Sequence, residues 1–281
     1  FLEIDKNYKF KKVLVIYNFF TKDVKNKILN NKNKIKVNEN AELHVIEYTI
    51  SESKSKFINN VYENIVLEKN SKLKNLVIQE NKSDGYFHKF LKNKLSLNSD
   101  CSNLIFSSGL KFNKFDIECD LVEEKSICNI LSALFLKKNE HQEIKSLVNH
   151  LAPNCKSNQK IKNVLSSDSK GVYQGKIYVK EIAQKTDAYQ LSKALLLNDN
   201  AEFNSKPELE IYADDVKCSH GSSSGNIDQD SLHYLMTRGL SRDDSIKLLI
   251  KGFLGDIIEF IKSPSIKKFI ESKLEQQING H

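Results

Sequence analysis

Leu67-Glu-Lys-Asn-Ser71 decides the fold: an apolar residue, three polar ones, then a small residue. The pattern recurs as Val37-Asn-Glu-Asn-Ala41, Leu97-Asn-Ser-Asp-Cys101 and Leu197-Asn-Asp-Asn-Ala201, and the copies that start at Val37, Leu67 and Leu97 are evenly spaced. That spacing falls in the range of stacked repeat units. Short runs of alternating apolar character lie between the copies, among them Leu43-His-Val-Ile-Glu-Tyr48, Leu73-Lys-Asn-Leu-Val-Ile78, Leu104-Ile-Phe106 and Ile177-Tyr-Val179. Alternation of this kind marks half-buried strands. One such unit cannot bury its apolar face alone, whereas a stack of them can. Periodicity alone admits a parallel β-helix or a β-sandwich. Two stretches break the pattern: residues 23–31 read as a short helix, and residues 142–150 as a segment near a turn.

From Asp228 the period becomes helical. Asp228 is placed to cap a short helix ending near Arg238, with Gly239 just beyond it. Ser241-Arg-Asp-Asp244 has the spacing of a capping box. Ile246, Leu249, Ile250, Phe253, Leu254, Ile257 and Ile261 then recur on one helical face. Pro264 interrupts this helix, and a last one runs from Ser265 to about Gln277. The simplest packing sets these helices against each other and on the end of the stack. The division is a β core over residues 1–227 and a helical domain over 228–281.

The chain has 281 residues and a formal net charge of +7, with 40% hydrophobic and 28% charged residues. These values suit a globular protein with a sizeable core. Arginine occurs only at Arg238 and Arg242, and the lysines are interleaved with acids, as in Glu123-Glu-Lys125. This describes a solvated surface rather than a nucleic-acid-binding face. No apolar run reaches membrane-spanning length; the best, residues 127–136, is broken by Asn129 and Ser132. Cys101, Cys119, Cys128, Cys155 and Cys218 are odd in number and form no Cys-x-x-Cys pair. They read as free thiols of a reducing compartment, the first three as buried small hydrophobes. Phe1 at the start reads as a fragment or a processed form.

Chemistry concentrates in Pro207-Glu-Leu-Glu-Ile-Tyr-Ala-Asp-Asp-Val-Lys-Cys-Ser-His-Gly221. Leu209, Ile211 and Ala213 alternate with polar residues as in a strand. Cys218 and His220 are two apart, so on a strand they share a face. A thiolate and an imidazole there suit iron, zinc or a sulfur species. Asp214 and Asp215 read as turn residues. His44, His88, His141, His233 and His281 read as surface or structural. No phosphate-binding loop and no nucleophile elbow is present, so the chain itself is not expected to hydrolyse ATP.

This run resembles the C-terminal signature of the SufB/SufD family, scaffold subunits of the SUF iron–sulfur cluster assembly machinery. Asn149-His-Leu-Ala-Pro-Asn-Cys-Lys-Ser-Asn-Gln159, Gly171-Val-Tyr-Gln-Gly-Lys-Ile177 and Tyr234-Leu-Met-Thr-Arg-Gly239 follow in the family's order. Cys-Ser-His-Gly at 218–221 points to the SufD branch. The resemblance is specific from about His150 to about Phe253, and implies a right-handed parallel β-helix followed by a small helical domain. It further implies a non-enzymatic scaffold that pairs with a SufB-like subunit and a SufC-like ATPase. His220, with Cys218, would sit where a transient iron–sulfur cluster forms, His220 as a metal ligand. Tyr234, Arg238, Gly239 and Phe253 would dock the ATPase. A reduced flavin at the level of the complex and a homodimer in isolation stay open. The compartment would be bacterial cytoplasm or, alternatively, plastid stroma. Cys155 has two readings, a sulfur relay and a buried thiol. Two rival readings remain: a SufB-like subunit that binds a cluster by itself, and a β-helix enzyme acting on polysaccharides through Asp187, Asp214 and Asp215.

Overall fold

The computed structural model describes residues 1–10, 12–51, 56–81 and 84–279. Two eight-stranded parallel sheets face one another. The first contains β1 (Leu2–Ile4), β3 (Ile28–Val37), β5 (Ile58–Leu67), β7 (Tyr86–Leu95), β9 (Phe112–Leu121), β11 (His141–His150), β13 (Lys170–Val179) and β15 (Glu202–Ile211). The second contains β2 (Leu14–Phe20), β4 (Glu42–Ser51), β6 (Lys72–Asn81), β8 (Asp100–Gly109), β10 (Ile127–Leu136), β12 (Lys156–Leu165), β14 (Thr186–Leu196) and β16 (Val216–Asn226). The chain alternates between the sheets, one strand of each per turn, and so winds a parallel β-helix.

The repeat seen in the sequence is the corner that carries the chain from the first sheet to the second. Asn40, Asn70 and Asn98 hold φ of 59°, 57° and 55° there. Asparagine tolerates this left-handed conformation better than most residues. Their side chains form a ladder along the stack: Asn70 donates to Asn40 at 2.9 Å and Asn98 donates to Asn70 at 2.9 Å. Where the small residue that ends the corner is serine, it turns its hydroxyl back onto the corner, Ser71 to the Glu68 carbonyl at 2.6 Å and Ser99 to the Ser96 carbonyl at 2.7 Å. The third copy is therefore Leu95-Ser-Leu-Asn-Ser99, slightly earlier in the chain than the expected one, because Leu67 pairs with Leu95. Leu197–Ala201 lies on the opposite corner, between β14 and β15.

Two other expectations are corrected. Residues 23–31 hold only a 3-10 turn at Lys22–Val24 before β3 begins. Residues 142–150 form β11, whose alternate side chains Gln142, Ile144, Ser146, Val148 and His150 are all buried. The period there is two, and polar residues occupy inward positions.

Helices α1 (Gln229–Thr237), α2 (Arg242–Ile258) and α3 (Pro264–Asn279) follow the last strand. Asp228 caps α1 by accepting from the Ser231 amide at 2.9 Å, and Ser241 caps α2 through the Asp244 amide at 3.1 Å. Gly239, at φ 94°, ends the first helix as expected. The helices do not sit on the end of the stack. Ile250, Leu254, Ile257, Ile270, Leu274 and Ile278 pack instead onto outward residues of the second sheet, including Leu76, Phe106, Leu131, Phe135 and Val164. Asp256 pairs with Lys160 at 2.9 Å and Lys162 at 2.7 Å, while Lys273 and Gln277 reach Glu80 at 2.9 and 3.0 Å.

The interior is mostly apolar and holds a buried ionic triad. Lys89 lies 2.8 Å from Glu47 and 3.1 Å from Glu63. Burial opposes charge on Lys89, but the two carboxylates outweigh it and raise its pKa. Burial pushes Glu63 from an ordinary 4.5 up to about 7. The folded chain then keeps a proton that the unfolded chain has lost between about 4.5 and 7. This contribution to stability is complete below that window and vanishes as pH rises through it. Glu63→Gln removes the dependence. In urea unfolding, the variant's stability relative to wild type should rise steadily with pH across the window and level off above it.

Candidate functional site

The site lies at the open end of the stack. β15 and β16 are the outermost strands of their sheets, each paired on one side only. Their outer edges carry backbone groups not engaged in the sheets, a ready template for another chain. The corner between them is held by Gln184, whose Oε1 accepts from the Asp215 amide at 2.9 Å. Asp214 and Asp215 are thus corner residues, as expected. Asp187 stands exposed on β14, opposite Lys156 and Lys217 in register.

Alternation along β16 turns Cys218 and His220 to the inward side, over Ala188 and Gln190 of the preceding turn. No further turn covers them. Cys218 is half-buried against a small cluster that includes Ile177, Val179, Ala188 and Ala213. His220 is exposed. Burial pushes the Cys218 thiol up, and nearby Asp187 adds to this, while the Ala188 backbone opposes it. The resting group is therefore a thiol, which a metal would have to deprotonate on binding. Beside them Ser192 meets Ser205 at 2.7 Å and Ser222 at 2.9 Å. Among the described residues no group of three or more His, Cys, Asp or Glu is arranged to hold a metal ion. Cys218 and His220 thus offer two soft donors on an open face, and a complete ligand set needs others.

The remaining candidates separate clearly. Cys155 is buried, bonded to the Ser126 hydroxyl at 3.2 Å and the Glu123 carbonyl at 3.3 Å, with its thiol pushed up by burial. That is the setting of a structural thiol. Cys101, Cys119 and Cys128 are fully buried. His150, in the same motif as Cys155, bonds Ser157 at 2.8 Å, and burial drags its imidazole down to about 4. His44, His88 and His141 make surface pairs with Glu42, Asp116 and Glu143. His281 lies outside the described residues. On the helices, Tyr234 is 57% exposed and the Arg238 guanidinium lies 5.2 Å from its ring centre. Met236, Leu240 and Leu248 are exposed nearby in the chain. Phe253 is half-buried, 4.7 Å from the Lys162 ammonium and packed on the sheet. A cleft of about 1160 Å³, lined by Tyr48, Lys111, Glu140 and Lys273 among others, belongs to earlier turns of the stack.

What sequence reasoning missed lies beneath His220. Gln190 of β14 meets Tyr173 and Gly175 of β13 in the interior. Inward alternation in Gly171, Tyr173, Gly175 and Ile177 was the available signal.

The fold is a parallel β-helix whose open terminal turn carries a thiol–imidazole pair. The chain belongs to the SufBD core domain family of the SUF system for FeS cluster assembly, whose pattern it matches over residues 19–253. It is 30% identical over 244 residues to the iron-sulfur cluster assembly protein SufD of Escherichia coli, covering 86% of this chain and 57% of that one. It is 29% identical to a SufBD family protein of Synechocystis, over 75% of this chain and 47% of the relative. It is 27% identical to the chloroplastic protein ABCI7 of Arabidopsis thaliana, over 87% and 50%. The chain thus spans about half the length of these relatives. Among the described residues no helix is long and apolar enough to cross a membrane.

The burial pattern predicts the order of thiol reactivity. In the folded chain a water-soluble alkylating reagent at mildly alkaline pH should modify Cys218 first. Mass spectrometry should find Cys101, Cys119, Cys128 and Cys155 protected until denaturant is added.

Proposed function

We propose that this chain is a SufD-like, non-enzymatic scaffold subunit. Its open terminal turn pairs with the corresponding turn of a SufB-like subunit, and the nascent cluster forms between them. The observation that carries this reading is the placement of His220 and Cys218, inward-facing on a terminal strand whose edge is unpaired within its sheet. Here the cluster is cargo. His220 would contribute an imidazole nitrogen and Cys218 a thiolate after deprotonation, while the partner supplies the remaining ligands. A flavin, if one takes part, belongs to the assembled complex. The work would be done in bacterial cytoplasm or plastid stroma.

The energy source would be a SufC-like ATPase bound at the α1–α2 elbow, through Tyr234, Arg238 and Gly239. The exposed apolar side chains beside them support this assignment. Phe253 would support the elbow from the sheet side. Dimerisation of two ATPase subunits on nucleotide binding would shift these helices and open the paired ends to iron and sulfide.

The central test is anaerobic reconstitution of the complete complex with iron and sulfide, comparing wild type with His220→Ala. The wild type should gain the charge-transfer absorption of a cluster and the variant should lose most of it. Equal absorption in both would end the assignment of His220. Retention of a cluster by the isolated chain would favour a self-sufficient SufB-like subunit, and light scattering on that chain tests for a homodimer.

The docking surface is tested separately. Tyr234→Ala combined with Arg238→Ala should weaken ATPase binding at least tenfold in calorimetry, the loss typical of an aromatic–arginine hot spot. Pairing with the SufB-like subunit should be unaffected.

A further inference from the structure

The interior ladder that ends in His220 is polar over three consecutive turns. Gln159, Gln190 and His220 are register partners on β12, β14 and β16. Parallel strands lie about 4.8 Å apart, so the three side chains stack along one inward row. Gln159 and Gln190 are both 0% exposed. Facing them from the other sheet is Tyr173, also fully buried, whose hydroxyl lies 3.3 Å from Gln159 Oε1. Ser146 donates to the same Gln159 oxygen at 2.5 Å and reaches the Tyr173 hydroxyl at 3.3 Å.

Gly175 makes this arrangement fit. A Cβ at that position would stand 1.9 Å from Gln190 Nε2 and 2.2 Å from Tyr173 Oη. The amide of Gln190 and the hydroxyl of Tyr173 therefore share the hollow that any larger residue would fill. Gln190 Nε2 is directed at the Tyr173 hydroxyl, whereas Gln190 Oε1 and Gln159 Nε2 make no hydrogen bond among the described residues. Buried amides without partners are rare, and ordered water in polar hollows is their usual partner. One turn further out, with only His220 above it in the row, Gln190 presents an unused acceptor, Oε1.

We propose that Gln190 is the positioning residue of His220. A water molecule held by the unpartnered Gln190 Oε1 bridges to one imidazole nitrogen. The bridge fixes the tautomer and leaves the other nitrogen, with its lone pair, facing the open end. Metal-binding histidines are oriented in this way by a partner on their second nitrogen. The inference rests on the reading of His220 as an assembly ligand, but its primary readout does not.

The test is imidazole ¹⁵N NMR of the isolated chain at a pH where the ring is neutral, with His220 assigned by its loss in His220→Ala. In wild type the two ring nitrogens of His220 should show the well-separated shifts of one tautomer. Gln190→Leu should average them, and Gly175→Ala should do the same with Gln190 still present. Gln190→Glu, which retains an acceptor, should restore a single tautomer. In the complete complex, Gln190→Leu should weaken iron binding about 10–100-fold. Averaged shifts in wild type, or an unchanged single tautomer in a folded Gln190→Leu or Gly175→Ala protein, would overturn the proposal; thermal melting establishes folding. Scrambled tautomers in Gln190→Leu, alongside normal cluster assembly in His220→Ala, would uphold the positioning and remove the ligand role instead.

Discussion

The stack depends on reversals made by a few residues where the chain passes from the first sheet to the second, and at Asn7, Asn40, Asn70, Asn98, Lys125, Asn154 and Lys185 one residue of the corner is held at positive φ. That conformation is unfavourable for most side chains; asparagine takes it at most of these corners, with Asn7, Asn40, Asn70 and Asn98 bonded in succession, and lysine takes it at Lys125 and Lys185. The corner fixes where each strand begins and so which residues face inward. Because side chains alternate with a period of two, a slip of one residue would turn every interior group outward. The inward placement of Cys218 and His220 at the last turn follows from the register of β16 on β14.

The same constraint explains what the sequence disclosed. The recurrence was legible because corners repeat their chemistry, yet successive turns are not equal in length. Leu67 pairs with Leu95 and Ala188 with Cys218, so the later turn is the longer one. A fixed period therefore chose the wrong Leu97 frame. Residues 23–31 look helical in isolation, but pairing with β5 makes part of that stretch strand. Residues 142–150 looked turn-like because inward positions hold Gln142, Ser146 and His150, which the interior accommodates. The helical caps at Asp228 and Ser241 were readable because capping is local.

The site divides along the same line. Cys218 and His220 are two residues apart, and their common face follows from that spacing alone. Gln190 lies one full turn upstream of His220, and its position beneath the ring exists only through cross-strand register. Tyr173 and Gly175 belong to the opposite sheet. The motifs near residues 150–159 and 171–177 carry few exposed functional groups. Their Ser157, Gln159, Tyr173 and Gly175 point inward, and the last three form the floor below the terminal turn.

The path of the helices has a further consequence. In a stack where each turn touches only its neighbours, stability is a sum of local terms, and the ends can fray independently of the middle. Here α2 is tied to β12 through Asp256, and α3 to β6 through Glu80. The helices act as a splint laid across several turns, so fraying of the intermediate turns must also strip them from the sheet. The protein should therefore lose its structure in larger cooperative blocks than a bare solenoid. A force applied to the helices would likewise be shared among several turns at once, as in a lever fixed at more than one point.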